Sequence, residues 1–327
     1  MKAITYHRYG SPDVLQVEKV DKPVAGDHDV LIKVWAAEAT KSDCEMRRFQ
    51  FAVKWFWLPL RLAVGIRKPR RRILGGYFAG EIASVGASIT DHSVGDQVFG
   101  AAGLKFGAYG EYVVLPANST IVAKPGNMCF EEAAAVPLGG LNALHFMRRA
   151  RIQPGEKVLV NGAGGSIGAH AVQIAKSMGA HVTAVDSTIK EGMLRRIGSD
   201  DFIDYTKQDF ATSGQTYDVI LDMVAGSSYS TCINTLNPRG RYLMANPRLL
   251  DMVCSAFTNR FTNKVASFAF ARETREELNA LKEMIEHGQI LSIVDKVYQM
   301  EQAADAHRRV ETEQRCGAVV IAISNSR

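Results

Sequence analysis

Apolar and β-branched residues come in short runs through the first 125 positions, at 3–6, 15–20, 30–37, 80–85, 97–100 and 110–115. Turn residues such as Tyr9-Gly10-Ser11-Pro12 and Gly95-Asp96 separate them. Runs of that length predict a compact, partly closed β domain. From about residue 131 the rhythm changes. A helical pattern at 131–149 leads to a strand at 157–161, a helix at 167–178 stopped by Gly179-Ala180, and a strand at 181–185. The alternation continues with a helix at 190–197, strands at 202–204 and 218–222, a helix at 227–236 and a strand at 240–245. Strands alternating with helices predict a parallel sheet covered on both faces, a doubly wound α/β fold. An amphipathic helix at 273–287, a strand at 293–298, a helix at 300–309 and a strand at 318–323 read as a return to the first domain.

Between the strand at 157–161 and its helix stands Gly162-Ala163-Gly164-Gly165-Ser166-Ile167-Gly168. A dinucleotide diphosphate needs backbone N–H groups and a helix N-terminus close by, with no Cβ in the way. Read as Ala163-x-Gly165-x-x-Gly168, the turn has alanine in the first glycine place, with Gly162 and Gly164 alongside. The context makes the pattern specific: an apolar strand precedes it, a helix follows, and Asp186 closes the next strand 18 residues after Gly168. Asp186 would accept hydrogen bonds from the adenosine ribose and repel a 2′-phosphate. Ser187 and Lys190 could instead hold that phosphate, and Tyr205 could stack on or bond to the adenosine end. The cofactor is therefore NADP(H) or NAD(H), with both uses open.

Bulk properties narrow the class. The 327 residues are 46% hydrophobic and 22% charged, which fits a two-domain globular chain. With no leader-like N-terminus and no long apolar run, a cytoplasmic protein without a transmembrane segment is expected. The five cysteines show neither C-x-x-C pairs nor metal-ligand spacing. A net charge of +5 is local in origin: residues 47–72 hold nine Lys or Arg and no acid, leaving 30 basic against 34 acidic residues elsewhere. That distribution argues against a general nucleic-acid binder. The same stretch mixes Phe49, Phe51, Trp55, Phe56, Trp57, Leu58 and Leu60 with its cations. It reads either as an apolar lid over a substrate cleft or as a packed insertion with a solvated basic tail.

Several motifs together resemble the medium-chain dehydrogenase/reductase superfamily, in its zinc-independent, quinone-oxidoreductase-like branch. They are Met1-Lys2-Ala3, Val30-Leu31-Ile32-Lys33-Val34, Gly80-Glu81-Ile82-Ala83-Ser84-Val85-Gly86, Gly95-Asp96-Gln97-Val98, and the run from Gly164 to Gly168 with Ala171-Val172-Gln173-Ile174-Ala175-Lys176. The resemblance implies a GroES-like substrate domain from both termini, residues 1–124 and 265–327, around a Rossmann domain at 125–264. It further implies an active site in the cleft between them and a homodimer. In such relatives Ser187, Lys190 and Tyr205 stand where the 2′-phosphate of NADP is held. Thr40 occupies the place of a zinc-ligand cysteine, and Gly76-Tyr77 stands where zinc enzymes have His-Glu, so catalytic zinc is not expected. Many zinc-independent relatives have aspartate where Tyr77 stands.

Without a Lewis acid, quinones and activated enones suit hydride acceptance better than simple alcohols. Thr40 could bond the nicotinamide ribose or substrate, or merely cap a helix through the Thr40-x-x-Asp43 pattern. Tyr77 could donate a proton or be a buried, hydrogen-bonded phenol. The alternatives are a zinc-free alcohol dehydrogenase or carbonyl reductase, and a non-catalytic NADPH-binding protein of crystallin-like or RNA-binding kind.

Overall fold

The computed structural model describes residues 1–51, 64–269 and 271–324. β1 (Lys2–Thr5) and β2 (Gln16–Lys19) form an antiparallel pair. Next come β3 (Asp29–Ala39), α1 (Lys41–Arg48), β4 (Tyr77–Val85), β5 (Gln97–Ala101), β6 (Tyr112–Pro116) and β7 (Ile121–Ala123). The helix expected over 131–149 is two, α2 (Phe130–Ala134) and α3 (Pro137–Ala150). Pro137 has no N–H with which to continue the first helix, and it opens the second.

The alternating region holds β8 (Lys157–Asn161), α4 (Ser166–Ser177), β9 (His181–Asp186), α5 (Glu191–Arg196), β10 (Asp201–Asp204), β11 (Tyr217–Asp222), α6 (Tyr229–Asn234), β12 (Leu236–Met244), α7 (Leu249–Phe261) and β13 (Val265–Phe268). Its six strands are parallel, in the order β10-β9-β8-β11-β12-β13. The winding reverses beside β8, which opens a crevice at the carboxyl ends of β8 and β11, where such sheets bind ligands. β13 carries this sheet past residue 264, the expected point of return.

The chain closes with α8 (Arg275–Glu286), β14 (Val294–Gln299), α9 (Ala303–Glu311) and β15 (Ala318–Ala322). β15 pairs with β3, with Val320 opposite Glu38, inside a second sheet ordered β14-β15-β3-β4-β5-β7, and β6 joins it on β3. The β-rich unit is thus assembled from both ends of the chain.

Alternating burial explains the outer sheet, and all-round burial explains α4. Every residue from Ala169 to Ala175 is buried, because α4 lies between the parallel sheet and α3. Leu278, Leu281 and Ile285 of α8 recur at helical spacing and join the same apolar cluster. That cluster also takes Phe99 and Val320 from the second sheet, so one continuous core fixes the glycine turn against the β-rich unit. Among the described residues, no helix is long and apolar enough to cross a membrane.

Candidate active site

At the head of β8 the chain turns through Gly162, at φ +82°, and enters α4 behind Gly165. Gly168 and Gly165 have opposite surroundings. A Cβ on Gly168 would lie 2.3 Å from Gly162 O and 2.6 Å from Ala163 Cα, so this glycine lets helix and strand touch. A Cβ on Gly165 would meet nothing nearer than Arg315 Nη2 and Gly162 O, each at 4.0 Å. Open space therefore lies over the turn, at the end of α4 where first-turn N–H groups lack intrahelical acceptors. Ser166 Oγ is turned away from that space and buried against α3, where a Cβ on Gly139 would lie 2.7 Å from it. An open cradle, a helix N-terminus and a guanidinium together fit the diphosphate of a dinucleotide. From the other unit, Gly317 N donates to Gly164 O at 2.9 Å and ties the turn to β15.

Asp186 and Lys190 are already partners. Asp186 Oδ2 accepts from Gly164 N at 2.7 Å, and Oδ1 accepts from Ser187 N at 2.8 Å and from Lys190 Nζ at 2.9 Å. Each side chain keeps only 7% of its surface. The Lys190 stem lies across Gly164, where a Cβ would come within 2.2 Å of Lys190 Cδ. Ala163 and Ile167 hold the turn's frame, with Ala163 N bonded to Val185 O at 3.2 Å. Tyr205 stands at the end of β10 with its ring largely exposed.

Thr40 is buried as the N-cap of α1. Its Oγ1 accepts from Asp43 N at 3.0 Å and donates to Asp43 Oδ2 at 2.6 Å, while Gly75 N donates to Asp43 Oδ1 at 3.1 Å. Burial pushes the Asp43 carboxyl up, and these donors pull it partly back. Tyr77 donates to Glu273 Oε1 at 2.6 Å. Burial, then the facing Glu273 charge, holds the Tyr77 phenol well above its ordinary range. An alcohol committed to a cap and a phenol committed to a carboxylate make a poor donor set for zinc. Among the described residues, no three His, Cys, Asp or Glu side chains converge as a metal site.

Three groups at the site escaped the sequence reading. Glu38, on β3, is 1% exposed, and an acid inside the apolar run Trp35-Ala36-Ala37-Glu38-Ala39 was the available signal. Arg315, just before β15, had none. Asp222, at the end of β11, gathers Asn161 Nδ2 and Ser227 Oγ at 3.0 Å and Tyr242 OH at 2.8 Å, which pins the loop beside the crevice. Burial pushes the Asp222 carboxyl up against those bonds. His170 is a packing residue whose Nδ1 meets Ser166 O at 2.8 Å.

Of the aromatic and basic stretch at 47–72, Trp55, Phe56, Trp57, Leu58 and Leu60 lie outside the described residues. Its start is packed: Arg47 is fully buried and paired with Glu311 on α9, and Phe49 stacks edge-on against Tyr9 and Phe51. Its end is solvated, with Arg67, Lys68, Arg70, Arg71 and Arg72 exposed.

Known proteins share this architecture. The family described as "Alcohol dehydrogenase GroES-like domain" matches residues 26–126, and that described as "Zinc-binding dehydrogenase" matches residues 197–321. A polyketide synthase, GfsB, of Streptomyces halstedii is 30% identical over 93% of this chain, which spans only 6% of that protein. The NADPH-dependent alkenal/one oxidoreductase of Arabidopsis thaliana chloroplasts is 29% identical, across 98% of this chain and 79% of its own. The structure of the quinone oxidoreductase from Coxiella burnetii superposes with a TM-score of 0.87 at 26% identity, covering 99% of both chains.

Proposed function

The chain belongs to the medium-chain dehydrogenase/reductase superfamily of nicotinamide-dependent oxidoreductases, and we propose that it reduces a quinone or an α,β-unsaturated carbonyl without zinc. The observation that carries this reading is the open face of Gly165 at the head of α4, with Arg315 beside it. The nicotinamide, when bound, supplies the hydride. Residues of the turn and Arg315 hold the diphosphate, and the Asp222 network keeps the neighbouring loop in place. Thr40 commits its O–H to a hydrogen bond with Asp43 Oδ2 and accepts from Asp43 N, so it has no proton to give a substrate. Tyr77 releases no proton near neutrality, because burial, and then the facing Glu273 carboxylate, disfavour the phenolate. Solvent then supplies the proton, which a reduced quinone or enolate accepts readily.

Oxidation of NADH and NADPH against a panel of quinones, enones and simple alcohols tests this directly. Turnover with the first two classes, undiminished by a chelator, is the expected outcome. Alcohol oxidation that appears only with added zinc would sink the reading.

Both cofactors are proposed to bind, with Lys190 as the group that adapts. With NAD(H) it stays on Asp186 and cancels that charge; with NADP(H) it turns to the 2′-phosphate beside Ser187, and Tyr205 covers the adenosine. A charge-assisted hydrogen bond is worth about 1.5–3 kcal/mol. Lys190→Ala is therefore expected to weaken NADPH binding by roughly 10- to 100-fold, with NADH affected far less. Equal losses for the two cofactors, read by fluorescence titration, would refute this role.

A further inference from the structure

The loop at 65–72 carries a concentration of charge that the reaction does not use. It ends a stretch, 47–72, that holds nine Lys or Arg and no acid. Arg67, Lys68, Arg70, Arg71 and Arg72 are exposed on it, and exposed Lys105 joins them, since Arg71 Nη1 donates to Lys105 O at 2.8 Å. Among the described residues none of these six takes part in a salt bridge. Glu18, the acid that feels Arg72, already bonds Thr5 Oγ1 at 2.7 Å and His7 Nε2 at 2.9 Å. The backbone beneath the cations is fixed. Gly65 turns at φ +129°, where a Cβ would lie 2.1 Å from Lys68 O. Arg70 N donates to Val64 O at 2.8 Å, Tyr9 OH to Gly65 O at 2.8 Å and Tyr6 N to Arg72 O at 3.0 Å, and Pro69 is buried beneath the run. Ile66, between Gly65 and Arg67, keeps 57% of its surface. An ordered loop thus crowds like charges around one exposed aliphatic side chain, and an opposing negative surface relieves their repulsion.

We propose that this loop docks the protein on an anionic lipid bilayer, with the cations among the headgroups and Ile66 at the acyl boundary. The cations are spread over an exposed loop, which suits an extended negative surface better than a small anion. Ile66 selects between such surfaces. A branched aliphatic offers no ring on which a nucleobase stacks, whereas it enters the boundary between headgroups and acyl chains readily. Docking also brings the cleft to the bilayer. Three residues after Arg72, Gly75 N donates to Asp43 Oδ1 at 3.1 Å, and Asp43 holds Thr40, so the loop runs directly into the cleft wall. An apolar quinone or enone dissolved in the bilayer then meets the protein at the membrane surface. That use of the docking rests on the reading of the site as a quinone or enone reductase; the docking itself does not.

Cosedimentation of the full chain with vesicles tests this, using phosphatidylcholine alone and phosphatidylcholine with about one quarter phosphatidylserine. The chain should pellet with the second and stay in solution with the first. Each cation near an anionic surface contributes about fivefold to partitioning, so the triple variant Arg67→Gln, Lys68→Gln, Arg70→Gln should bind on the order of 100-fold more weakly. Those three side chains make no hydrogen bond or ion pair among the described residues, so the variant should keep the wild-type Tm and the wild-type turnover of a water-soluble quinone. Ile66→Ser should weaken binding roughly tenfold, and the loss should persist at high salt, where the cations are screened. No binding to the anionic vesicles, equal binding to both kinds, an unchanged triple variant, or tighter binding to a single-stranded RNA oligonucleotide at the same salt overturns the docking. A chain that pellets as expected yet reduces neither quinones nor enones keeps the docking and overturns the reductase reading.

Discussion

Gly168→Ala is expected to lose about 3 kcal/mol of stability and to bind dinucleotide on the order of 10- to 100-fold more weakly. The added methyl would lie 2.3 Å from Gly162 O and 2.6 Å from both Ala163 Cα and Ala163 O. These are backbone atoms and cannot rotate away. Relief must come from moving α4 off β8, and that displaces the first N–H groups of α4 that would hold the diphosphate. Gly192 is the control, since a Cβ there meets nothing within 4 Å. Gly192→Ala should be neutral or stabilise the protein by about 0.5 kcal/mol. Urea denaturation and a fluorescence titration read both quantities. If the two alanine variants behaved alike, close packing at Gly168 would not be what shapes the turn.

Asp186→Ala carries the second large effect, about 3–5 kcal/mol. The substitution strands Lys190, whose side chain is 7% exposed, and takes the acceptor from Gly164 N and Ser187 N. Asp186→Asn should fall between, since its amide oxygen can still accept from Gly164 N. The decisive variant combines Asp186→Ala with Lys190→Met. With the stranded charge removed, most of the loss should return, whatever becomes of the cofactor. A double variant no more stable than Asp186→Ala alone would mean that the backbone contacts, and not the ion pair, carry the energy.

Local pattern was enough for the elements that bury one face against their neighbours. The strand at 157–161 and the glycine turn were legible because an apolar run, small residues and a helix follow each other within a dozen positions. The break at Pro137 was missed because apolar spacing continues across it, although the backbone cannot. α7 and β13 were missed for a different reason. Leu250, Val253, Phe257 and Phe261 recur at helical spacing on α7 yet stay exposed, so their pattern marks no core within the chain. At the site, Asp186 and Lys190 stand four residues apart and could be read together. Arg315 is about 150 residues from Gly165 in sequence and comes beside it only because β15 pairs with β3 and Gly317 bonds to Gly164. Residue chemistry was visible at each position, whereas their convergence is a property of the topology.

The hydrogen bond from Gly317 to Gly164 also orders events during synthesis. The parallel sheet is encoded between Lys157 and Phe268 and can assemble its turn as soon as those residues are free. The strand that clamps the turn, and the Arg315 beside it, are made about 150 residues after the turn itself. A nascent chain therefore carries a shaped but unclamped dinucleotide turn until residues 315–322 emerge, and only then does β15 dock on β3 and close the site.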